Sequence, residues 1–135
     1  DLVRRHLNPG GIFFYNTTES SRVQRTGCLA FAYGARFTNH MVVSDAPIAW
    51  DFDRWRRKLE AYRIDGKPIF DPARAEDRAE LDRLLAWQGS LAPAAAATVD
   101  RPIEPCPDLL ARTAGMTPVT DDNMGTEWRY FMGME

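Results

Sequence analysis

A chain of 135 residues has room for one ordinary domain, and its 44% hydrophobic and 11% aromatic content is enough to build a core, which argues against global disorder. Seventeen basic and nineteen acidic residues leave a formal net charge of −2, so the long-range field that nucleic acid or an anionic membrane requires is absent. The sequence predicts no membrane span and no signal peptide, and its two cysteines, Cys28 and Cys106, are expected to be free thiols in a reducing compartment.

The first elements predicted along the chain are the end of a helix and a buried strand. Asp1–Leu7 has helical spacing of apolar residues, and because it reads as a helix already under way we expect the chain to be part of something longer. Asn8–Gly11 then forms a turn. The continuous apolar run Ile12–Asn16 predicts a strand buried on both faces, which is typical of a parallel sheet covered by helices.

A helix and a strand pair are predicted next. The hydroxyl and acidic side chains of residues 17–20 suit a helix N-terminus, and the helix is expected to run from Ser21 to about Ala32. Two segments with β character follow, Tyr33–Thr38 and His40–Ser44, with a turn at Asn39. The short connection predicts that these two strands are antiparallel.

The remainder of the chain predicts three helices separated by an irregular segment. Asp51 to about Ile64 is strongly amphipathic, and Ala73–Trp87 is a second candidate helix. Residues 89–107 are rich in alanine and proline and are expected to be a mostly irregular connector. Asp108 is the expected cap of a short helix, Leu109–Ala114. We therefore divide the chain into residues 1–88, the connector 89–107, and a short helix with an acidic tail at 108–135.

Two motifs near the beginning carry a resemblance to a known family. The sequence Leu7–Gly11 before a hydrophobic strand resembles the fifth-strand region of class I methyltransferase-type folds. The polar segment Tyr15–Ser20 looks like the one that follows this strand in spermidine synthases, with Asn16 standing where the family has Gln. Glu19-Ser20 matches a family Glu-Ser pair after a shift of one residue.

The rest of the chain extends the resemblance to the spermidine synthase-like (polyamine aminopropyltransferase) family. Val23–Asp45 is similar in order to the closing helix and antiparallel strand pair of that family. Pro118–Asn123, with Glu127 four residues later, looks like the tail of bacterial members, many of which are fused to transporter-type membrane segments. The family's Pro-Thr-Tyr-Pro-like substrate segment is replaced by Tyr33–Phe37, which departs from polyamine-specific members.

The resemblance implies an α/β fold, the C-terminal part of a Rossmann-like class I methyltransferase/spermidine synthase domain. It would have one buried strand, an antiparallel strand pair and several helices. It implies transfer of an aminopropyl group from decarboxylated S-adenosylmethionine to a polyamine, in the cytoplasm, by a parent protein that can carry a membrane region. The catalytic Asp and the cofactor loop of the family precede the fifth strand, so they are expected upstream of residue 1. The chain alone is then expected to hold no cofactor and to be inactive.

The candidate substrate-binding residues implied by the resemblance are Asn16, Glu19, Asp121, Asp122 and Glu127. Glu19 follows a strand end, where it either contacts a substrate amine or complements the dipole of the next helix. Asn16 either binds ligand or bonds the backbone. The acids of the tail either form a rim that attracts a polyamine or cap the tail and pair with Arg112 or Arg129.

Two other functions remain open from the sequence. A methyltransferase-like domain using S-adenosylmethionine shares the scaffold, and fold does not fix function. A regulatory or assembly domain of a membrane-fused protein would keep the fold without the chemistry. Because an isolated half-sheet exposes an edge strand, we also expect the chain to self-associate through Ile12–Tyr15.

Overall fold

The computed structural model describes residues 2–92, 101–123 and 132. Its contacts divide the chain into two compact units. The first comprises the described residues of Asp1–Ile48 and Pro93–Glu135, and the second is Ala49–Ala92. Among the described residues, no helix has both the length and the apolar character needed to cross a bilayer.

The first unit contains a four-stranded sheet and three helices. The helices are α1 (Leu2–His6), α2 (Ser21–Ala30) and α5 (Cys106–Arg112), and the strands are β1 (Phe13–Asn16), β2 (Tyr33–Phe37), β3 (His40–Ser44) and β6 (Ile103–Pro105). The Gly-rich turn, the helix after β1 and the strand pair around Asn39 are all where the sequence predicted them. The chain is therefore a mixed α/β protein, as expected.

The strand order in this sheet is β1-β3-β2-β6, and every neighbouring pair is antiparallel. The parallel pairing expected from the apolar run at Ile12–Asn16 is therefore wrong. However, β1 and β2 both run opposite to β3, so they point in the same direction. Helix α2 connects them as a crossover, and β3 lies between them.

The prediction that β1 is buried on both faces is also wrong. Phe13 and Tyr15 turn toward the core, whereas Ile12 and Phe14 are 53% and 55% exposed. No described strand pairs with the other edge of β1. A run of apolar residues is found both in strands buried on two faces and in strands buried on one face with apolar side chains on the other. In β1 the outward-facing Phe14 stacks on His40.

Helices α2 and α5 pack on the face of the sheet that carries the core. Met41, Val43 and Leu109 are fully buried there, and Phe13 and Tyr15 pack against them. A disulfide joins Cys28 of α2 to Cys106 at the start of α5. The prediction that both cysteines are free thiols is therefore wrong. The two cysteines no longer support a reducing compartment.

The second unit contains two helices and a small hairpin. Helix α3 (Phe52–Ala61) begins after Asp51, whose carboxylate accepts a hydrogen bond from the Arg54 N–H at 2.8 Å. Strands β4 (Arg63–Ile64) and β5 (Lys67–Pro68) follow, then α4 (Ala75–Leu85) and a 3₁₀ helix over Ala86–Leu91. Both predicted helices are present, and each is shorter than its apolar pattern suggested.

Of the predicted connector at 89–107, residues 93–100 lie outside the described residues, and most of the described remainder is regular structure, contrary to the prediction. Ile103–Pro105 forms β6, which pairs with β2, and Thr38 N–H donates to the Pro102 carbonyl at 2.7 Å. Helix α5 starts at Cys106, so Asp108 lies in its first turn and is not its cap. Proline content suggested a connector, but a strand at the edge of a sheet accepts a proline where no N–H is needed.

Candidate functional site

The candidate site is the loop of residues 17–20, at the carboxyl end of β1. Ser20 caps α2, and its side chain accepts a hydrogen bond from the Val23 N–H at 3.3 Å. The predicted helix N-terminus is thus confirmed, and it fixes where the loop ends. Helix α2 leads to β2, which points the same way as β1. The loop therefore lies at the start of this crossover connection, at the carboxyl end of β1.

Two successive residues of this loop have left-handed backbone conformations. Thr18 has φ of 48° and Glu19 has φ of 64°, and such conformations cost non-glycine residues about 1 kcal/mol or more each. Their amides compensate in part. The Thr18 N–H donates to Asn16 Oδ1 at 2.7 Å, and the Glu19 N–H donates to Asn39 Oδ1 at 2.5 Å. Hydrogen bonds to Asn16 and Asn39 therefore stabilise a loop conformation that is unfavourable for the isolated backbone.

Asn39, in the turn between β2 and β3, organises the loop from the neighbouring strand pair. Thr17 is buried, its N–H donates to the Asn39 carbonyl at 2.9 Å, and its hydroxyl lies 2.9 Å from that carbonyl and 3.1 Å from Asn39 Oδ1. Gln24 Nε2, also buried, donates to the Thr17 hydroxyl at 3.1 Å. The sequence predicted the turn at Asn39, but it did not predict the hydrogen bonds from Asn39 to Thr17, which form only when the strands pack.

Glu19 presents an exposed carboxylate at the end of this rigid loop. No hydrogen bond or ion pair joins that carboxylate to another side chain in the part of the chain that the structure describes. Asn16 is different, because its Oδ1 already bonds the Thr18 N–H and lies 3.5 Å from Asn39 Nδ2. Asn16 therefore bonds the backbone of the loop, and its contact with a ligand stays a prediction.

Part of the tail runs beside α2. Arg22 Nε donates to the Thr117 carbonyl at 3.0 Å, and the Val119 N–H donates to the Thr26 hydroxyl at 2.7 Å. Asp121 and Asp122 follow in an exposed turn. The structure therefore brings the tail to the helix that Glu19 precedes, although no contact joins the two acids to Glu19 within the described ranges. Glu127 and Arg129 lie outside the described residues.

A second polar cluster was missed from the sequence. Glu104 on β6 is fully buried between Arg36 of β2 and Arg112 of α5, with N–O distances of 3.0 Å to Arg36 Nε and 2.9 Å to both Arg112 Nε and Nη2. Burial raises the pKa of Glu104, but hydrogen bonds and charge from Arg112 and Arg36 outweigh it and hold that pKa below its ordinary value. The partner of Arg112 is thus Glu104, and not the acids of the tail at 121 and 122.

The hydrogen bonds of this cluster indicate that it stabilises the fold. Arg36 also donates to the carbonyls of Thr38 and Arg101, and Arg112 Nη1 donates to the Ser21 hydroxyl at 3.2 Å. The carboxylate and both guanidinium groups are therefore occupied by protein atoms. No sequence signal joins Arg36 to Glu104, because the two are 68 positions apart.

The described residues contain no group of three or more His, Cys, Asp or Glu side chains that could hold a metal ion. A scan against protein-family models, a search of curated proteins and a search of solved structures each found no match to this chain. The spermidine synthase-like resemblance accordingly depends on the motifs alone.

Proposed function

We propose that these residues are the acceptor-side, C-terminal portion of an aminopropyltransferase-like domain of the class I methyltransferase type. In this proposal the cofactor-binding strands and the catalytic Asp belong to a preceding portion of the same protein. The decarboxylated S-adenosylmethionine would be held there. The present residues would bind and orient the amine.

The observation that carries the proposal is the arrangement around β1. A strand, a crossover helix and a second strand in the same direction are the unit on which open α/β sheets place ligands, at the carboxyl ends of the strands. At that position the chain has a polar loop in a strained conformation, with an exposed carboxylate at Glu19. Strained backbone held by its surroundings is concentrated at functional sites.

The chemistry assigns Glu19 a simple role. Polyamines are cationic at neutral pH, and a carboxylate fixed on a rigid loop attracts an ammonium group and sets its orientation. In the transfer, a deprotonated amine nitrogen attacks the propyl carbon attached to sulfur, the carbon–sulfur bond breaks, and methylthioadenosine leaves. The amine proton passes to the base in the preceding portion. Asn16 acts here as a positioning residue, because its Oδ1 holds the loop.

The strained loop offers a matched pair of variants for the test. Glu19→Gly and Thr18→Gly both relieve a left-handed residue, but only the first removes the carboxylate. In a protein that carries the cofactor-binding portion, we expect Glu19→Gly to raise the KM for putrescine by about tenfold, equivalent to about 1.4 kcal/mol. Thr18→Gly should leave that KM unchanged. Equal effects of the two variants would show that the conformation of the loop, and not the Glu19 carboxylate, sets the KM.

Calorimetry tests whether the cofactor binds to the preceding portion of the protein and not to the 135-residue chain. The full-length protein should bind decarboxylated S-adenosylmethionine more tightly than S-adenosylmethionine, whereas the 135-residue chain should bind neither. Micromolar binding of either compound by the chain alone would contradict the proposal. Preference of the full-length protein for intact S-adenosylmethionine would favour the methyltransferase alternative, and binding of neither would favour a non-catalytic domain.

A further inference from the structure

The first unit contains a mainly apolar cavity of about 290 Å³ on the helix-covered side of β1. Its walls come from α1, β1, α2 and the segment after α5. They include Val3, Phe13, Val23, Ala30, Phe31 and Val119. At about 30 Å³ for each water-sized group, this volume accommodates roughly ten non-hydrogen atoms. That is near the lower end of the range for small-molecule sites.

Arg4 and Tyr15 are among the polar residues that line this cavity. Arg4 lies at its rim, with the guanidinium carbon 5.9 Å from the centre of the Phe31 ring and the side chain nearly half exposed. Tyr15 is half-buried, and its hydroxyl donates a long 3.4 Å hydrogen bond to the Val23 carbonyl. Burial raises the pKa of Tyr15 to about 12, so the phenol is neutral at physiological pH.

The charge at the rim favours an anion. Of the basic last turn of α1, which carries Arg4, Arg5 and His6, Arg4 lines the cavity. Asp45 pairs with Arg4 at 2.8 and 2.9 Å, but both side chains are more than 40% exposed, and such surface pairs contribute at most about 1 kcal/mol. A guanidinium group has five N–H donors, of which this pair uses two. An incoming carboxylate therefore has donors to bind.

We propose that this cavity binds a small amphipathic monocarboxylate, with its apolar body between Phe31 and Val119 and its carboxylate on Arg4. Gly27 of α2 also lines this cavity, and its lack of a side chain leaves room there for the Tyr15 hydroxyl. A Cβ at Gly27 would lie 2.1 Å from the Tyr15 hydroxyl oxygen. This site differs from the amine site proposed at Glu19 both in place and in charge preference, so either can fail without the other.

The ligand class is tested with three probes that share one alkyl chain. Octanoate should show saturable binding to the 135-residue chain by calorimetry, about fivefold tighter than octanol, equivalent to about 1 kcal/mol. Octylammonium should bind more weakly than octanol, because it brings a cation to a cationic rim. Equal affinity for octanoate and octylammonium, or no saturable octanoate binding, would overturn the proposal.

Two variants locate the site. Arg4→Gln should reduce octanoate affinity to the level of octanol, and Ala30→Leu should weaken both probes about tenfold by filling the cavity from an exposed helix position. Arg54→Gln, an exposed arginine of the second unit, is the matched control and should change neither affinity. Octanoate binding that Arg4→Gln and Ala30→Leu both leave intact would show that the probe binds elsewhere and would sink the assignment.

Discussion

Glu104 is a carboxylate with no exposure to solvent, and two arginines neutralise it. A buried charge without partners would be expensive to desolvate, so the three side chains are stable only as a set. They join β2, β6 and α5 through side chains that are distant in sequence. Loss of Glu104 leaves both guanidinium groups without their anion, whereas loss of either arginine leaves Glu104 bonded to the other.

We expect Glu104→Gln to lower the free energy of unfolding by about 3 kcal/mol or more, because it leaves Arg36 and Arg112 without their anion. Chemical denaturation at pH 7 measures this. Glu80→Gln is the control, since Glu80 pairs with Arg83 on an exposed face of α4 and its loss should change the free energy by less than about 1 kcal/mol.

The same variant has a predicted pH signature. The pKa of Glu104 is lower in the folded protein than its ordinary value of 4.5, so its stabilising contribution is present above that value and is lost as pH falls through the folded pKa. The difference in unfolding free energy between wild type and Glu104→Gln should therefore shrink as pH falls below 4.5. A difference that stays constant down to strongly acid pH would contradict the lowered pKa.

At the scale of elements, the turn between β2 and β3 supports the loop after β1. Asn39→Ala removes the acceptor for the Glu19 N–H and leaves the Thr17 hydroxyl with fewer partners, which should cost about 1–2 kcal/mol. Amide hydrogen exchange should accelerate at Glu19 more than in α2. Asn39→Asp keeps the acceptor oxygen, so Glu19 should retain most of its protection. Equal loss in both variants would show that the side-chain oxygen is not what holds the loop.

The disulfide is the covalent link between α2 and α5, whose cysteines are 78 positions apart. For a loop of this length the chain-entropy model gives about 4.5 kcal/mol of stabilisation, and removal of a native disulfide typically costs about 2–5 kcal/mol. The double variant Cys28→Ala/Cys106→Ala should lose this amount in chemical denaturation, and reductant should destabilise the wild type but not the variant.

Alkylation under denaturing conditions checks the bond directly. Without reductant neither cysteine should be labelled, and after reduction both should be. Labelling of Cys28 and Cys106 without reductant would restore the original expectation of free thiols. It would also restore the argument for a reducing compartment.

At the scale of the whole molecule, the open edge of β1 remains the place where we expect association. Ile12 and Phe14 are more than half exposed there, and no described strand pairs with this edge. Light scattering of the 135-residue chain should give a mass above that of a monomer, and Phe14→Lys should shift it toward the monomer. Leu29→Lys, which changes an equally exposed residue of α2, is the control. A clean monomer at all concentrations would contradict this expectation.

Local patterns in the sequence determined most element positions. Apolar spacing located α1 and α3, the hydroxyl residues before Ser21 located the start of α2, and Asn39 located a turn, because each of these signals involves neighbouring residues only. They did not determine strand direction or the number of covered faces of β1. Strand direction and burial depend on which strands pair, and a continuous apolar run is compatible with parallel or antiparallel pairing and with burial of one face or both.

The candidate site divides in the same way. Neighbouring residues were enough to predict that a polar segment with Glu19 follows β1 and leads into α2. The bonds of Asn39 to this loop, the Cys28–Cys106 disulfide and the position of Glu104 between two arginines became visible only in the folded chain. The physical reason is that hydrogen bonds, disulfides and ion pairs require atoms within a few ångströms. Sequence separation carries no information about that distance until the sheet and helices have packed.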